Sequence, residues 1–228
     1  MVQRSAEVRL DAPVVVRAYR ASDRARVREI AYLTGYMGEP AWYWRDVPSF
    51  ADIWSAWYTD VEPESAFVAE REGSVVGYLL GCVDTARAPA PAGLVVRQML
   101  RRLLLVRPGT AGFFWRAAGD TLRGSRAPAG DLRDPRWPAH LHTNLLPEAR
   151  GVGAGAALMR AWLARLADLG VPGCHLVTLA ENRNAIGFFR HMGFRVLGPP
   201  QRVPGMRTRE GERMHQQIMV REIPGVRD

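Results

Sequence analysis

Three glycines, Gly151, Gly153 and Gly155, stand at every second position of one short segment that directly follows Arg150. A β-prone apolar run, residues 141–146, precedes this segment, and a helical pattern of apolar residues follows it at once. A helix amino terminus presents backbone N–H groups and the positive end of the helix dipole. Because glycine has no Cβ, a bulky anion can lie directly on this backbone. The segment therefore predicts an anion-binding loop, and a pyrophosphate fits it best.

Two nucleotide-binding patterns compete for this loop. Gly151, Gly153 and Ala156 fit the dinucleotide fingerprint G-x-G-x-x-G/A. That fingerprint directly follows a strand and needs an acidic residue at the end of the next strand, about 20 residues on, and neither condition is met. Arg150, Gly153 and Gly155 fit the pattern R-x-x-G-x-G/A better. A glycine-rich turn without any ligand is the remaining alternative.

The strand that leads into the loop carries candidate catalytic side chains. His140, His142 and Asn144 alternate along it, so their side chains share one face. An imidazole titrates near neutral pH and can accept a proton from a nucleophile. His142 is therefore the predicted general base and Asn144 a second candidate catalytic residue, although a histidine in a strand is more often structural. The five histidines show no ligand cluster, so no metal site is predicted.

The remaining elements follow an α/β order. Strands are predicted at about residues 14–19, 65–70, 75–83, 141–146, 174–180, 194–197 and 213–222. Helices are predicted at about residues 23–33, 49–58, 94–106, 111–122 and 182–191, besides the one that follows the glycine loop. Ser49 is the predicted N-cap of the second helix, and residues 202–212 are predicted to form a flexible, arginine-rich loop.

Residues 85–137 form an insertion between the predicted hairpin and the strand before the glycine loop. This insertion is expected to act as a lid over the substrate site or as a dimer arm. Its first helix combines apolar and arginine residues, and a membrane-surface helix is the weaker interpretation. An aromatic segment, residues 36–44, is expected to help form the substrate pocket. The chain, residues 1–228, is expected to be one domain.

The net charge is +8, and all 31 basic residues are arginines. These arginines are scattered rather than massed, so no nucleic-acid partner is predicted. The amino terminus lacks an apolar signal core and no apolar run reaches the about 20 residues of a membrane span, so we expect a cytoplasmic protein without a membrane partner. Cys82 and Cys174 lie in apolar runs and are expected to be buried and reduced.

A second motif lies downstream of the loop. Residues 182–194 fit N-x-x-A-x-x-F-[YF]-x-x-x-G-F, with Asn182, Ala185, Phe188, Phe189, Gly193 and Phe194 at the specified positions. Together with the glycine loop, this segment resembles the two signatures of the GNAT N-acetyltransferase superfamily. The resemblance implies an α/β (α+β) GNAT fold with a mixed, mostly antiparallel sheet that is flanked by helices and split beside the phosphate-loop strand. It also implies acetyl-CoA as cosubstrate.

A closer resemblance covers residues 34–85 together with residues 138–147. These segments are similar to the acetyltransferase-like domain that accompanies O-linked N-acetylglucosamine hydrolases and to its free-standing bacterial relatives. Some members of that group are suspected of lacking activity. A function must therefore be argued from the site itself, because a fold alone does not prove catalysis.

The GNAT resemblance implies a role for each matching residue. The loop would hold the pyrophosphate through the backbone of Arg150, Gly151, Val152, Gly153, Ala154, Gly155 and Ala156. The backbone of Leu145 and Leu146 would pair with the pantetheine arm, and one of these N–H groups, assigned to Leu145, would stabilise the oxyanion. The remaining cofactor contacts would come from Asn182 near the thiol, from Phe189 on the pantetheine, and from Ala185 and Phe188.

Position 189 departs from the usual pattern of the family. GNAT enzymes frequently place a tyrosine there, which protonates the leaving thiolate. Phe189 has no proton to donate, and its presence implies a rate lower by roughly one or two orders of magnitude, or another donor.

The predicted function is transfer of an acetyl group from acetyl-CoA to a primary amine by direct attack in a ternary complex. The acceptor would be a small molecule or a peptide, and the protein is a possible homodimer. The alternative is a coenzyme A-binding domain with regulatory or vestigial activity. Binding of nucleic acid or a membrane surface through residues 85–137 is a distant third.

Overall fold

The computed structural model describes residues 13–123 and 132–225. Within these residues, strands form one mixed sheet in the order β1-β2-β3-β4-β5-β7-β6. The β4–β5 pair is parallel and the other neighbouring pairs are antiparallel, as predicted. The strands are β1 Val15–Ala18, β2 Ala66–Arg71, β3 Ser74–Cys82, β4 Ala139–Leu145, β5 Gly173–Leu179, β6 Arg195–Arg207 and β7 Arg213–Glu222.

Helices cover both faces of the sheet. They are α1 Arg24–Leu33, α2 Val47–Ala51, α3 Trp57–Val61, α4 Pro91–Arg101, α5 Ala111–Leu122, α6 Ala154–Asp168 and α7 Arg183–His191. A π-helical turn, Asp52–Ala56, joins α2 to α3. In the part of the chain that the structure describes, none of these helices combines the length and apolar character that crossing a membrane requires.

Alternation along β3 divides the core between the two faces of the sheet. Leu79 packs on the α6 side, whereas Leu80 and Cys82 pack on the side of α1 and α3. Gly81 admits the large ring of Trp162 from α6, since a Cβ at this position would lie 2.3 Å from that ring. Both cysteines are buried free thiols, as the sequence predicts.

The helix predicted at residues 49–58 begins earlier, at Val47. Asp46 is its N-cap, because its carboxylate accepts the N–H of Ser49 at 3.0 Å. Ser49, the predicted cap, lies inside the first turn and donates its hydroxyl to the Asp46 carbonyl at 2.9 Å. Pro48 suits this placement because the first turn of a helix leaves N–H groups without helical partners.

Part of the insertion packs in the hydrophobic core. Leu104 is fully buried and Phe114 nearly so, and both pack with Trp44 and Phe50. Removing the insertion would expose this cluster, so a deletion cannot separate a lid function from folding. Part of α4 faces outward and leaves Leu100 two-thirds exposed. A lid or dimer contact at the insertion stays a prediction.

The first insertion helix and the last strands differ from their predicted bounds. α4 begins at Pro91 instead of residue 94 and ends at Arg101 instead of residue 106, because Leu103 has a left-handed φ of 51°. The predicted arginine-rich loop at residues 202–212 is largely strand, since β6 continues to Arg207 through two irregularities in its pairing with β7. Residues 124–131, in the Gly/Pro/Arg-rich last part of the insertion, lie outside the described residues.

Replacing Asp46 by alanine is expected to lower the free energy of unfolding by about 3 kcal/mol. The buried carboxylate caps α2 and forms ion pairs with Arg102 at 2.7 Å and Arg107 at 2.8 Å, which would lose their partner. Burial raises the pKa of this carboxyl, but the donors from Ser49 and Arg102 outweigh burial and lower it overall. Urea denaturation of D46A measures the loss.

E222A, which removes an exposed ion pair with Arg195, is the control and should change stability far less. Equal effects would contradict this role of Asp46.

Candidate active site

A cleft opens in the sheet between β4 and β5. These strands pair only through Ala139 with Cys174 and His140 with His175. Beyond this short ladder β4 continues beside β3, whereas β5 continues beside β7, so the two strands diverge. The carboxyl-terminal half of β4 therefore lines a cleft with its free edge, as the predicted split requires.

One hydrogen bond determines which backbone groups face this cleft. Leu146 donates its N–H to the carbonyl of Val76 at 2.9 Å. Because antiparallel residues point toward and away from their partner in turn, Asn144 and His142 also face β3. The N–H groups of Thr143 and Leu145 consequently face the cleft.

This geometry changes one residue of the predicted backbone pair. Leu145 faces the cleft, as its predicted role requires. The N–H of Leu146 is already used in the sheet, so it has no donor to offer a ligand, whereas the N–H of Thr143 faces the cleft. The motif located the end of β4. It did not specify which N–H groups of the strand face the cleft, because that depends on the register of β4 on β3.

The glycine loop lies between the end of β4 and the start of α6. Gly153 is the N-cap of α6 with φ 84°, and Gly151 has φ 75°. Both values belong to the left-handed region that favours glycine. A Cβ at either position would meet no atom within 4 Å, so the space above the loop is open. Gly153 has no side chain that could accept the N–H groups of the first turn of α6, which begins at Ala154. Val152 is exposed, so the loop is accessible to solvent.

Gly155 is the point where β4, α6 and α7 meet. A Cβ there would lie 3.2 Å from the side chain of Leu145 and 3.3 Å from the ring of Phe188. Phe188 is half-buried and lies nearest to the glycine loop, whereas Phe189 is 7% exposed and packs on Phe194 in the core. The structure thus brings Phe188 to the loop and places Phe189 behind it.

Asn182 is the N-cap of α7. Its side-chain oxygen accepts the N–H of Ala185 at 3.1 Å. This hydrogen bond stabilises the start of the helix, and in the predicted role the side-chain nitrogen of Asn182 would reach the ligand.

Arg150 joins the glycine loop to two other parts of the site. Its guanidinium donates to the carbonyl of Leu145 at 2.9 Å and to the carbonyl of Gly38, in the α1–α2 connection, at 2.6 Å. The side chain is exposed and its charge lies at the mouth of the cleft. Arg150 therefore holds the loop, the strand end and the α1–α2 connection together.

A chain of hydrogen bonds leads from the interior to His142. Tyr58 of α3 lies with its hydroxyl 2.7 Å from Nε2 of His140 and 2.9 Å from Nε2 of His142. Nδ1 of His140 lies 2.7 Å from the hydroxyl of Thr85, which donates to the carbonyl of Pro138 at 2.6 Å. These residues form a continuous relay.

The direction of the relay follows from its buried end. Because Thr85 gives its proton to a carbonyl, His140 must donate from Nδ1. Burial, reinforced by His142 and His175, lowers the pKa of His140 well below its usual range, so His140 is neutral and accepts at Nε2. Tyr58 then donates to His140 and accepts from His142. In neutral His142 the proton is thus on Nε2 and the basic lone pair on Nδ1.

Asn144 is part of a second network. Its amide nitrogen donates to the hydroxyl of Thr34 at 2.6 Å, and its oxygen accepts from Tyr78 at 3.1 Å. Burial raises the pKa of Tyr78, so this phenol is a donor at physiological pH. Both ends of the Asn144 amide hold the strand to its neighbours.

A pocket lies directly beside His142. Its walls come from the α2–α3 region, from the entry of the insertion and from β4, namely Ile53, Trp54, Trp57, Tyr58, Ala88, Pro89, Pro91, Leu94 and His142. Residues 36–44, which are predicted to help form the substrate pocket, are not among the residues that line this one. Tyr36 and Trp44 are 3% exposed and pack with the second half of the insertion and with β6. Apart from His142, the sequence pattern did not predict which residues line this pocket, because they come together only in the folded chain.

Acid is expected to destabilise the protein through His140. Its folded-state pKa lies below the unfolded value, so the unfolded chain binds more protons once the pH falls below about 6.5. The free energy of unfolding should then decrease by up to about 1.4 kcal/mol per pH unit. Chemical denaturation between pH 7 and pH 5 measures this slope. It should be smaller in H140Q and unchanged in H191Q, which alters an exposed histidine of α7; identical slopes in all three proteins would contradict the assignment.

The split sheet, the glycine N-cap and the order of elements define the fold of the GNAT acetyltransferases. Residues 125–196 match the family model of the acetyltransferase (GNAT) domain. This match confirms the GNAT resemblance, whereas the closer resemblance to the domain of O-linked N-acetylglucosamine hydrolases stays a prediction.

Solved structures share the fold over nearly the whole chain. SsHAT is 26% identical with a TM-score of 0.62, and the alignment covers 92% of this chain and 98% of that one. The phosphinothricin acetyltransferase of Sinorhizobium meliloti, solved in complex with acetyl-CoA, is 20% identical with a TM-score of 0.56, covering 92% and 88%. The yncA protein of Salmonella typhimurium, solved with its cofactor acetyl-CoA, is 17% identical with a TM-score of 0.55, covering 93% and 95%.

Proposed function

We propose that this protein is an N-acetyltransferase that transfers the acetyl group of acetyl-CoA to a primary amine in a ternary complex. The observation that carries the proposal is the open, glycine-capped amino terminus of α6 at the mouth of the split sheet. Two of the solved structures that share this fold were solved with acetyl-CoA. The protein's net charge of +8 also favours an anionic cosubstrate.

The residues present fit a long molecule with an anionic centre. The N–H groups at Gly151, Gly153 and the first turn of α6 would bind the pyrophosphate, because they combine open space with the helix dipole. The N–H groups of Leu145 and Thr143 would bind the pantetheine arm as an added strand binds a sheet edge.

Contacts on the opposite side of the cleft complete the proposed cofactor site. Phe188 lies against Gly155 and would cover the pantetheine from α7, with Ala185 one turn earlier. Asn182 would direct its amide nitrogen toward the thiol end while its oxygen caps the helix. Phe189 supports Phe188 from the core, since their ring centroids are 5.3 Å apart.

His142 is the proposed general base. The relay orients its ring and places the basic lone pair on Nδ1, as its hydrogen bond to Tyr58 requires. In the reaction the amine nitrogen forms a bond to the acetyl carbon, the carbon–sulfur bond breaks, and His142 takes the amine proton. The cleft N–H groups of β4 would stabilise the charge that develops on the acetyl oxygen. Asn144 would act indirectly, by holding β4 in register with α1 and β3.

Position 189 lacks the tyrosine that could protonate the leaving thiolate. A thiolate is a good leaving group at neutral pH, so the reaction can proceed without an acid at a reduced rate. The protonated His142 that results from the amine attack is itself a proton source for the thiolate.

Calorimetric titration with acetyl-CoA, followed by measurement of thiol release with a panel of amines, tests the proposal. The expected result is binding together with amine-dependent thiol release. Binding without release for any amine would favour the alternative, a coenzyme A-binding domain with regulatory or vestigial activity. Absence of binding would contradict the proposed cofactor site.

A further inference from the structure

The outer face of α4 carries aliphatic side chains. Val96 is half-exposed and Leu100 is 68% exposed, and their spacing of four residues places both on the same side of the helix. Two polar side chains turn inward instead. Gln98, and Arg102 at the end of the helix, donate to the aspartates at the two ends of α2 at 3.0 Å and 2.7 Å. This arrangement is the reverse of that of an ordinary surface helix, whose apolar side chains face the core.

The turn after α4 extends this apolar surface. Leu103 and Val106 are both more than two-thirds exposed, whereas Leu104 between them is fully buried. Trp115 of α5 is also exposed, and its indole N–H donates to the carbonyl of Leu105 at 3.1 Å, so its ring lies beside the turn. The outer patch consists of Val96, Leu100, Leu103, Val106 and Trp115.

The charges around the outer patch are positive. Two exposed arginines, Arg97 and Arg101, each directly follow a member of the patch in α4. Residues 85–119 contain arginines but neither aspartate nor glutamate. Asp120, the next acidic residue, is buried and forms an ion pair with Arg207 at 2.7 Å. The patch therefore combines exposed apolar groups with a positive field that attracts anions.

We propose that the outer patch binds the surface of a membrane that contains anionic lipids. The aliphatic side chains would insert among the acyl chains, Trp115 would lie at the headgroup level, and the arginines would meet the anionic headgroups. This contact goes beyond the proposed acetyltransferase function and does not depend on it.

The exposed fractions change the weight of an interpretation that the sequence alone left weak. Periodicity does not show which face of α4 the core covers, and Leu100 and Leu103 lie on the uncovered one. The expectation that the protein has no membrane partner rests on the lack of a signal core and of a spanning segment. A contact with a membrane surface requires neither.

Charge and shape favour a membrane over a second copy of this chain. A two-fold contact through the outer patch would bring Arg97 and Arg101 of both copies to one interface, and residues 85–119 offer no carboxylate to pair with them. The exposed fractions of Leu100, Leu103 and Val106 show that these side chains protrude from the surface. A fluid bilayer accepts protruding side chains without a complementary shape, whereas a helix of another protein needs a groove.

Cosedimentation with vesicles of phosphatidylcholine, with and without phosphatidylserine, tests the proposal. The protein is expected to bind the anionic vesicles at least about tenfold more tightly than the neutral ones, and added salt should weaken this binding. L100D should lower the partition coefficient on anionic vesicles at least about tenfold, because it replaces an inserting side chain by a charge that the headgroups repel.

L169D is the matched control. Leu169 is also exposed, at the end of α6, so the two variants make the same substitution and have the same net charge. L169D should change the partition coefficient less than about threefold. Thermal unfolding of both variants measures their stability.

Two further readouts do not require L100D to fold. R97Q should weaken binding to the anionic vesicles about fivefold. Lipids brominated in their acyl chains should quench the tryptophan fluorescence of the parent protein more than that of W115F, because Trp115 is expected to insert.

Equal binding to the two kinds of vesicle, or equal effects of L100D and L169D, would overturn the proposal. A dimer in analytical ultracentrifugation that L100D dissociates, together with absence of vesicle binding, would also overturn it, since a second copy would then cover the outer patch.

Discussion

Replacing Gly153 by glutamate is expected to weaken acetyl-CoA binding at least 100-fold while the protein stays folded. The substitution places a carboxylate at the amino terminus of α6, in the open space where the pyrophosphate is proposed to lie. It therefore combines charge repulsion with loss of room on the backbone. Calorimetric titration measures the dissociation constant, and thermal unfolding measures the stability.

Gly170 provides a matched control at the other end of the same helix. It also has a left-handed φ, 67°, and a Cβ there would meet no atom within 4 Å. G170E therefore introduces the same charge and a similar backbone strain of about 1–2 kcal/mol. A carboxylate is less favourable at a helix carboxyl terminus than at an amino terminus, so G170E should be no more stable than G153E. Normal binding by G170E would show that strain does not explain the loss.

Retention of acetyl-CoA binding within about threefold by G153E would place the pyrophosphate elsewhere. Equal loss of binding in G153E and G170E would point to a general effect of destabilised α6. Either result would remove the support that the glycine loop gives to the proposed function.

Replacing His142 by glutamine is expected to lower kcat about 100- to 1000-fold near neutral pH, which lies within the typical range for a lost general base. The glutamine amide can still donate to Tyr58, as Nε2 of His142 does, but it cannot accept a proton from the amine. The dissociation constant of acetyl-CoA should change less than twofold. Steady-state rates across pH 6 to 9 and calorimetry measure the two effects.

Two further variants, Y58F and H191Q, are compared with H142Q. Y58F interrupts the relay between His140 and His142 and should lower kcat about tenfold, since the imidazole remains but loses its orientation. H191Q removes an exposed histidine at the end of α7 and should leave kcat unchanged. A normal kcat in H142Q would exclude His142 as the base, and an equal loss of acetyl-CoA affinity would indicate a structural role.

Features that depend on neighbouring residues were predictable from the sequence. Gly151 and Gly153 provide the left-handed backbone from which α6 begins, and this requirement is visible in the glycine spacing. The helix predicted at residues 182–191 is present as α7, and Asn182 is its N-cap, because its side-chain oxygen accepts the N–H of Ala185. Hairpin, helix and strand order likewise follow from local periodicity and turns.

Where two local signals compete, the sequence is less informative. Asp46 and Ser49 are both good N-cap residues, and the insertion decides between them. Arg102 and Arg107 bind the Asp46 carboxylate from more than 50 positions away, an interaction that sequence spacing does not reveal. The helix consequently begins before its predicted first residue.

Thr143, Tyr58 and Trp57 illustrate what long-range packing adds. The register of β4 on β3 turns the N–H of Thr143, and not that of Leu146, toward the cleft. Tyr58 reaches His140 and His142 across more than 80 positions, and Trp57 and Pro91 line the same pocket only when the insertion folds back.

The sequence by itself predicted the order of helices and strands and the glycine loop, because capping, turns and periodicity act over a few residues, whereas the GNAT fold and the split sheet were implied by the resemblance of the two motifs. Only the tertiary structure decided the order of the relay, the cleft-facing backbone groups and the walls of the pocket beside His142. These depend on strand register and on contacts between distant segments, whose geometry is set when the core packs as a whole.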